Sequence, residues 1–255
     1  MIHPSAVVHP SAQIDTSVEV GPFCIVGEHV KIGARTTLLA HVIVSGHTTI
    51  GEDAVIHPFA SIGGTSQDRK AADEISYTII GDRTIVREYA SIHRATGAGL
   101  ATKVGDDCLL LAYSHVAHNC TIGNDVTMSN MAQVAGQVVI EDHAGLGGMA
   151  RIHQDVRIGG YAFVGGFAKL GRDLPPYFLT DGNPAVVHGL NSVGLRRRGF
   201  PREVISELKD AYKIIYRSDR NLAQAVEALR GMVKTDAGRH LLAFLEAPSE
   251  RGILK

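Results

Sequence analysis

The sequence has 255 residues, a length that suits one large domain or two modest ones, and its net charge is −1. Aromatic residues make up only 5% of the chain and Trp is absent, so a sizeable core must be filled by aliphatic side chains. The first residues lack the basic and then apolar pattern of a signal peptide, and no apolar run approaches the length of a membrane span. We therefore expect a soluble cytoplasmic protein.

An aliphatic side chain recurs at every sixth position through most of the first 170 residues. The series has 26 members in a single phase: Ile2, Val8, Ile14, Val20, Val26, Ile32, Leu38, Val44, Ile50, Ile56, Ile62, Ile80, Val86, Ile92, Val104, Leu110, Val116, Ile122, Met128, Val134, Ile140, Leu146, Ile152, Ile158, Val164 and Leu170. It is interrupted at about 64–78 and 94–103, where we predict loops outside the repeat. Long loops on a rigid scaffold usually carry function.

Each six-residue unit is predicted to be a short strand followed by a corner. The residue after the aliphatic is often Gly, and the fourth residue after it is small or β-branched. All three cysteines, Cys24, Cys108 and Cys120, occupy that fourth position, which favours small buried thiols over a disulfide or a nucleophile. The pattern resembles that of the hexapeptide-repeat proteins, whose fold is a left-handed parallel β-helix with three units per turn. This resemblance implies that residues eighteen apart lie above one another.

The hexapeptide phase ends near Leu170, and from Pro201 the apolar period becomes that of a helix. We predict a mainly β protein with two domains, a parallel β-helix over residues 1–190 and a small α-helical domain over residues 191–255. From Arg196 onwards the chain has 13 Lys and Arg against 8 Asp and Glu. This basic segment suggests a docking surface for an acidic partner, with an ordinary solvated helical surface as the alternative.

His115 and His118 follow directly after the second interruption. One coil above His118 the repeat places Gly136, and one coil further it places Gln154. A neutral imidazole can take a proton from an attacking hydroxyl or amine, and a glycine lets a backbone N–H approach the oxyanion that develops. Asn119 could orient the ring. We therefore predict acyl transfer by direct attack of the acceptor, without a covalent enzyme intermediate.

Other polar groups give weaker signals. The stretch Gln67–Lys70 could bind a sugar hydroxyl through its Asp and a phosphate through its basic residues, or be a solvated loop tip. The run Arg196–Arg198 suits a diphosphate or nucleotide, or is the solvated start of a helix. Histidines that directly follow Ile or Val are expected to be mostly solvated corner residues: His3, His9, His57 and His93.

Taken together, these segments resemble the UDP-N-acetylglucosamine O-acyltransferases, a family of hexapeptide-repeat enzymes, over essentially the whole chain. The segments that carry the resemblance are Gly21-Pro-Phe-Cys-Ile-Val-Gly, Phe59-Ala-Ser-Ile-Gly, Gln67-Asp68, His115-Val-Ala-His118-Asn-Cys-Thr-Ile-Gly-Asn, Gly147-Gly-Met, His153-Gln154, Asp173-Leu-Pro-Pro-Tyr and Arg197-Arg-Gly-Phe. The resemblance implies transfer of a 3-hydroxyacyl chain from acyl carrier protein to the sugar 3-hydroxyl, the first step of lipid A biosynthesis.

The resemblance also implies a role for individual residues. His118 would be the general base, and the Gly136 amide would hold the oxyanion. Substrate-binding positions would be Asp68 and Lys70 at a subunit boundary, His115, Gln137, His153 and Gln154 around the acyl-pantetheine and sugar, Gly166 at the end of the acyl chain, and Asn191, Arg197 and Arg198 on the diphosphate side. The protein would be a homotrimer with sites between subunits. It would need no cofactor or metal and bind no nucleic acid, and its basic tail would meet the acidic carrier protein.

The chain departs from the family pattern at four positions. Asn119 replaces an Asp, Gln137 and Pro184 each replace a His, and Val193 replaces a Glu. Val193 and Gln137 leave open a related reaction, amide formation on a UDP 3-amino sugar. A second alternative is a metal-dependent hydratase that uses interfacial histidines. A structural repeat protein is disfavoured because the chain has no regular ladder of outward-facing threonines.

Overall fold

The computed structural model describes all 255 residues, and its first part is a coil of short strands arranged as three parallel sheets. The first face contains Val7–Val8, Ile25–Val26, Ile43–Val44, Ser61–Gly64, Ser91–His93, His115–Val116, Gln133–Val134, Arg151–Ile152 and Lys169–Leu170. The second face contains Gln13–Ile14, Lys31–Ile32, His47–Ile50, Tyr77–Ile80, Ala101–Val104, Thr121–Ile122, Val139–Ile140 and Arg157–Ile158. The third face contains Glu19–Val20, Thr37–Leu38, Val55–Ile56, Ile85–Val86, Leu109–Leu110, Thr127–Met128, Gly145–Leu146, Phe163–Val164, Phe178–Asp181 and Val186–Leu190.

The repeated aliphatic residues point into the coil and stack in register. Val116, for example, pairs with Ile92 in the strand below and with Val134 in the strand above. All three side chains are at most 1% exposed. Burying one such side chain stabilises the fold by about 1.5–3 kcal/mol, so the stacked column is the main source of cohesion along the axis. The predicted fold class, a parallel β-helix followed by helices, is confirmed.

The corners turn through a residue that the sequence pattern did not single out. The residue three places after the aliphatic has a positive φ in most units, and Asn119 and Gln137 are two of these, with φ of 61° and 62°. The small residue that follows it is buried, as Cys120 and Val138 are, and its size lets the corner close against the core. Positive φ is costly for residues other than Gly and less so for Asn and Asp, so each corner depends on the stacked coils to hold it.

The corner between the third and first faces, which we call the third corner, has a ladder of exposed rings that are mostly apolar. The rings of Phe23, His41, Phe59, Tyr89 and Tyr113 stack at centroid spacings of 4.8–5.0 Å. Three exposed side chains continue the line upwards: Met131, Met149 and Phe167. A contiguous apolar strip of this length is unusual on a monomer and marks an interaction surface.

The cysteines are free and buried, as the pattern indicated. Burial raises the pKa of the Cys108 thiol to about 11 and that of the Cys120 thiol to about 12. Cys120 lies next to the candidate site, where its Sγ donates to the Ala135 carbonyl at 3.0 Å. Because the thiolate is the nucleophilic form, these residues are packing groups at neutral pH.

The two interruptions are shorter than the sequence suggested. Gly64 and Tyr77 belong to strands at the ends of the first loop, and Ala101 begins a strand at the end of the second. Tyr77–Ile80 pairs with His47–Ile50 on one side and with Ala101–Val104 on the other. These backbone pairings extend the strands by two residues into segments that have no hexapeptide phase. The loops that remain cover 65–76 and 94–100.

The end of the chain has one more helix and one more hairpin than the sequence indicated. Phe178–Asp181 and Val186–Leu190 form an antiparallel hairpin on the third face, in place of a fully irregular connection. The four helices are α1 Ser192–Arg197, α2 Arg202–Tyr216, α3 Leu222–Met232 and α4 Asp236–Glu246. The Arg196–Arg198 run lies at the end of α1, so its interpretation as the start of a helix is wrong. None of these helices is both long and apolar enough to cross a membrane.

Candidate active site

His118 lies at the corner between the first and second faces, which we call the first corner, and its side chain is 12% exposed. Its Nδ1 is 2.9 Å from Asn119 Oδ1. The Asn119 amide can face only one way, because its Nδ2 donates to the Thr96 carbonyl at 2.9 Å while its Oδ1 accepts from the Thr96 N–H at 2.9 Å. Asn119 therefore presents an oxygen to the ring, so the imidazole proton lies on Nδ1 and the Nε2 lone pair can accept.

Both loops meet over this ring. Thr96 belongs to the second loop, and its hydroxyl bonds the Ser66 hydroxyl of the first loop at 2.8 Å. The Asp68 N–H donates to Ser66 Oγ at 3.1 Å, which brings Asp68 Oδ2 to 4.0 Å from His118 Nε2. The Lys70 N–H donates to the Asp68 carboxylate at 3.0 Å, while the Lys70 side chain is exposed. The loops thus fix the ring from one side and place a carboxylate near its free nitrogen.

Gly136 is adjacent to His118, one coil above it. A Cβ added at Gly136 would be 2.4 Å from both Cε1 and Nε2 of the imidazole, so no larger residue fits without moving the ring. The Gly136 N–H donates to no group of the protein, and its carbonyl accepts from the Asp155 N–H at 3.1 Å. The base candidate and a backbone N–H without an acceptor in the protein therefore lie together at the first corner.

The polar groups above Gly136 form a short network. Gln154 Nε2 donates to Gln137 Oε1 at 2.9 Å, and both side chains are exposed. His153 Nδ1 is 2.8 Å from Arg251 Nη2, a residue that the sequence did not suggest. No motif could have indicated Arg251, because it follows the last helix and lies 98 positions from its partner.

His115 is next to His118 along the first face. Its Nδ1 bonds Ser91 Oγ at 2.8 Å, and its ring makes an edge contact with His93 at a centroid distance of 5.1 Å. Burial, followed by repulsion from His93 and His118, lowers the pKa of His115 to about 4, so the ring is neutral at pH 7. It is thus a hydrogen-bonding group rather than a charge.

His93 was expected to be solvated, and that expectation is wrong. Its Nδ1 is buried without a hydrogen-bond partner, and burial lowers the pKa of the ring. The strand register explains this, because Ser61–Gly64 and His115–Val116 pair with its strand on either side at the point where the first loop leaves the coil. In the sequence, the indication that His93 is not an ordinary corner residue was its position directly before the interruption at 94–103.

A second group of candidate residues lies elsewhere, at the corner between the second and third faces. Asn191, Arg197 and Arg198 line a cavity of about 280 Å³ with Asp125, His143 and Tyr161. Arg198 Nη1 donates to Asp125 Oδ2 at 2.6 Å, and this bond lowers the pKa of the Asp125 carboxyl. Asn191 caps α1 by accepting from the Gly194 N–H at 3.1 Å and donates to the Tyr161 carbonyl at 3.0 Å.

The structure therefore divides the candidate residues into two half-sites. The catalytic half-site is at the first corner and contains His118, Gly136 and their neighbours. The arginine half-site contains Asn191, Arg197 and Arg198 at a different corner of the same chain. Gly166 belongs to neither: it is exposed beside the third corner, where an added Cβ would be 3.2 Å from the Gly148 carbonyl oxygen. No group of three His, Cys, Asp or Glu side chains is arranged to hold a metal ion.

Models of transferase families match both the coil and the C-terminal part of the chain. The family model described as bacterial transferase hexapeptide (six repeats) matches residues 101–136, which include His118 and Gly136. The model of UDP-N-acetylglucosamine O-acyltransferase, domain 2, matches residues 173–254. The coil and its first corner thus define a hexapeptide-repeat transferase.

Solved structures extend this similarity to the full length. The enzyme from Acinetobacter baumannii is 39% identical with a TM-score of 0.95, and the alignment covers 100% of this chain and 99% of that one. The Francisella novicida UDP-N-acetylglucosamine acyltransferase is 37% identical with a TM-score of 0.96, covering 100% and 94%. The Arabidopsis enzyme is 31% identical with a TM-score of 0.87, covering 100% of both chains. The chain belongs to the UDP-N-acetylglucosamine O-acyltransferase family.

Proposed function

We propose that this enzyme transfers a 3-hydroxyacyl chain from acyl carrier protein to the 3-hydroxyl of UDP-N-acetylglucosamine, the first step of lipid A biosynthesis. Membership of the family supports the reaction, and the pairing of His118 with Gly136 is the observation that carries the mechanism. The free, buried thiols agree with a cytoplasmic location.

In the proposed reaction His118 Nε2 takes the proton of the sugar hydroxyl as the oxygen attacks the thioester carbonyl. Asn119 Oδ1, 2.9 Å from Nδ1, holds the ring in the tautomer that this step needs. The oxyanion of the tetrahedral intermediate accepts from the Gly136 N–H. The intermediate then collapses, the carbon–sulfur bond breaks, and the departing pantetheine thiolate recovers the proton from the imidazolium.

The separation of the two half-sites supports a homotrimer in which adjacent chains complete each site. One chain would supply His118, and its neighbour would supply Arg197 and Arg198 for the diphosphate. The apolar ladder of the third corner would be covered between subunits, because burying its rings removes a large apolar strip from water. Asp68 and Lys70, on the exposed side of the catalytic half-site, would reach the shared boundary.

The helical segment supplies the proposed docking surface for the carrier protein. Several of its charges are neutralised within the segment, as in the Arg230–Glu246 and Lys213–Asp210 pairs. Arg196, Arg202 and Lys209 are exposed and form no salt bridge within the chain. They remain available to an acidic partner, whose approach they would accelerate at low ionic strength.

The acceptor atom is tested by comparing UDP-N-acetylglucosamine with its 3-amino analogue, using acyl carrier proteins loaded with 3-hydroxyacyl chains of several lengths. We expect the hydroxyl substrate to give the higher kcat/KM, with activity independent of added metal and resistant to chelators. Val193 and Gln137, which depart from the family pattern, keep the amino sugar as the second candidate. A preference for the 3-amino analogue would establish amide formation instead, and loss of activity on chelation would favour metal chemistry.

The neutral partner of His118 makes a distinctive prediction for Asn119→Asp. The new carboxylate would stabilise the imidazolium, so we expect the acidic limb of the kcat/KM pH profile to move to higher pH. It would also place an oxygen against the Thr96 carbonyl, where Asn119 Nδ2 now donates at 2.9 Å, and lower the unfolding free energy by about 1–2 kcal/mol. The measurements are a pH–rate profile and thermal unfolding; an unshifted acidic limb would contradict the contact between residue 119 and the His118 ring.

A further inference from the structure

The segment that follows α4 returns to the coil and packs on its last turn. Gly252 accepts from the Asp173 N–H at 2.9 Å, and the Leu254 N–H donates to the Asp173 carbonyl at 2.8 Å. The Ile253 and Leu254 side chains are 7% and 6% exposed. Asp173 is itself fully buried and bonds Arg157 Nε at 2.7 Å. We call Ser249–Lys255 the tail strap; these contacts anchor it without Arg251.

The strap directs Arg251 towards the catalytic half-site. Arg251 Nη2 lies 2.8 Å from His153 Nδ1, and the Gln154 carbonyl oxygen lies 3.1 Å from the same nitrogen. A guanidinium can only donate, whereas a carbonyl oxygen can only accept. The two neighbours therefore demand opposite tautomers of His153: the arginine requires an unprotonated Nδ1, and the carbonyl requires a protonated one.

We propose that Arg251 is a positioning residue that keeps the proton of His153 on Nε2, so that the ring presents a hydrogen-bond donor to a substrate oxygen. This inference rests on the proposed function, because it assigns His153 to the acyl-transfer site. The shorter contact is the one to the arginine, whose donors are always protonated. In its absence the ring would adopt the other tautomer, in which Nδ1–H donates to the Gln154 carbonyl and Nε2 becomes an acceptor, so the hydrogen-bonding character of the exposed edge is reversed.

The contacts of Arg251 argue against a purely structural role. Its Nε is buried without a hydrogen-bond partner, so the guanidinium is not used to secure the strap. The backbone bonds to Asp173 and the two buried aliphatic side chains hold the segment independently. The bond to His153 also links the segment after α4 to the first corner, where Gly136 lies one coil below Gln154.

The test uses the full-length protein with Arg251→Met, which keeps the apolar stem and removes every donor, and Arg251→Lys, which restores a donor. The ring tautomer of His153 is determined from the ¹⁵N chemical shifts of histidine-labelled protein, assigned with His153→Asn. We expect Nε2–H in the parent and in Arg251→Lys, and Nδ1–H in Arg251→Met. Steady-state kinetics should show kcat/KM reduced about tenfold in Arg251→Met, mainly through KM, and largely recovered in Arg251→Lys.

Lys255→Met is the matched control, since it removes one positive charge from the same strap, where Lys255 Nζ bonds only the Arg220 carbonyl at 3.0 Å. It should change neither the tautomer nor kcat/KM. Retention of Nε2–H in Arg251→Met would overturn the proposal. It would also be overturned if Arg251→Met and Arg251→Lys lost equal activity and equal thermal stability. The tautomer is measured without substrate, so it decides the proposal even if the parent protein fails to acylate the UDP sugar.

Discussion

Replacement of His118 by Ala is expected to lower kcat/KM for acyl transfer by about 10²–10⁴-fold, the contribution of a positioned general base. The fold should persist, because the ring packs at a corner, while the adjacent core depends on Val116 and Cys120, which are fully buried. The measurement is transfer from 3-hydroxyacyl carrier protein to UDP-N-acetylglucosamine by protein of verified secondary structure and assembly. Activity equal to that of the parent would remove His118 from the mechanism.

His9→Ala provides the matched control. His9 directly follows a strand of the first face, at the opposite end of the coil from the candidate site, and its Nδ1 contacts only Ser11. Its replacement should leave kcat/KM unchanged. Equal losses in the two variants would show that the effect arises from the coil in general and not from the base.

The His118→Ala variant also tests whether the catalytic half-site of one chain meets the arginine half-site of another. Differently tagged His118→Ala and Arg197→Ala chains are co-expressed, and the mixed assemblies are isolated with both tags. In trimers that contain both kinds of chain, an intact site is restored at about a third of the boundaries, so activity should rise far above that of either variant alone. If both half-sites acted within one chain, mixing would restore nothing.

Gly136→Ala is expected to reduce kcat/KM by at least about 100-fold, comparable to loss of an oxyanion donor together with displacement of a catalytic group. The added methyl would lie 2.4 Å from the His118 ring, so the ring must leave its bond to Asn119 or the Gly136 backbone must shift. Both changes separate the base from the amide. Rate measurements with each substrate varied, together with thermal unfolding, distinguish a local effect from unfolding.

Gly27→Ala is the control for the methyl group itself. Gly27 also follows a strand of the first face, and an added Cβ would meet its nearest neighbour, Ser45 Cα, at an ordinary 3.4 Å. We expect near-parent activity and stability from this variant. If Gly136→Ala retained full activity, the close approach of His118 to Gly136 would have no catalytic meaning.

The features that repeat along the chain could be predicted from its amino-acid order. Because each unit contacts only its neighbours along the axis, a six-residue period converts spacing into position, so His118 could be placed beneath Gly136 and Gln154 above it. The helical periods after Pro201 likewise indicated α2, α3 and α4, since an amphipathic stripe must pack on a core. The family could also be named from motifs that cover both parts of the chain.

The features that do not repeat depend on contacts between distant parts of the folded chain. The orientation of Asn119 depends on Thr96, which lies 23 positions away in a loop, and the tautomer proposed for His153 depends on Arg251, 98 positions away. Neither contact repeats along the chain, so no spacing rule could reveal it. The separation of the two half-sites could not be predicted for the same reason. Loops and the tail strap are placed by packing between distant segments, whereas the coil is placed by contacts between adjacent ones.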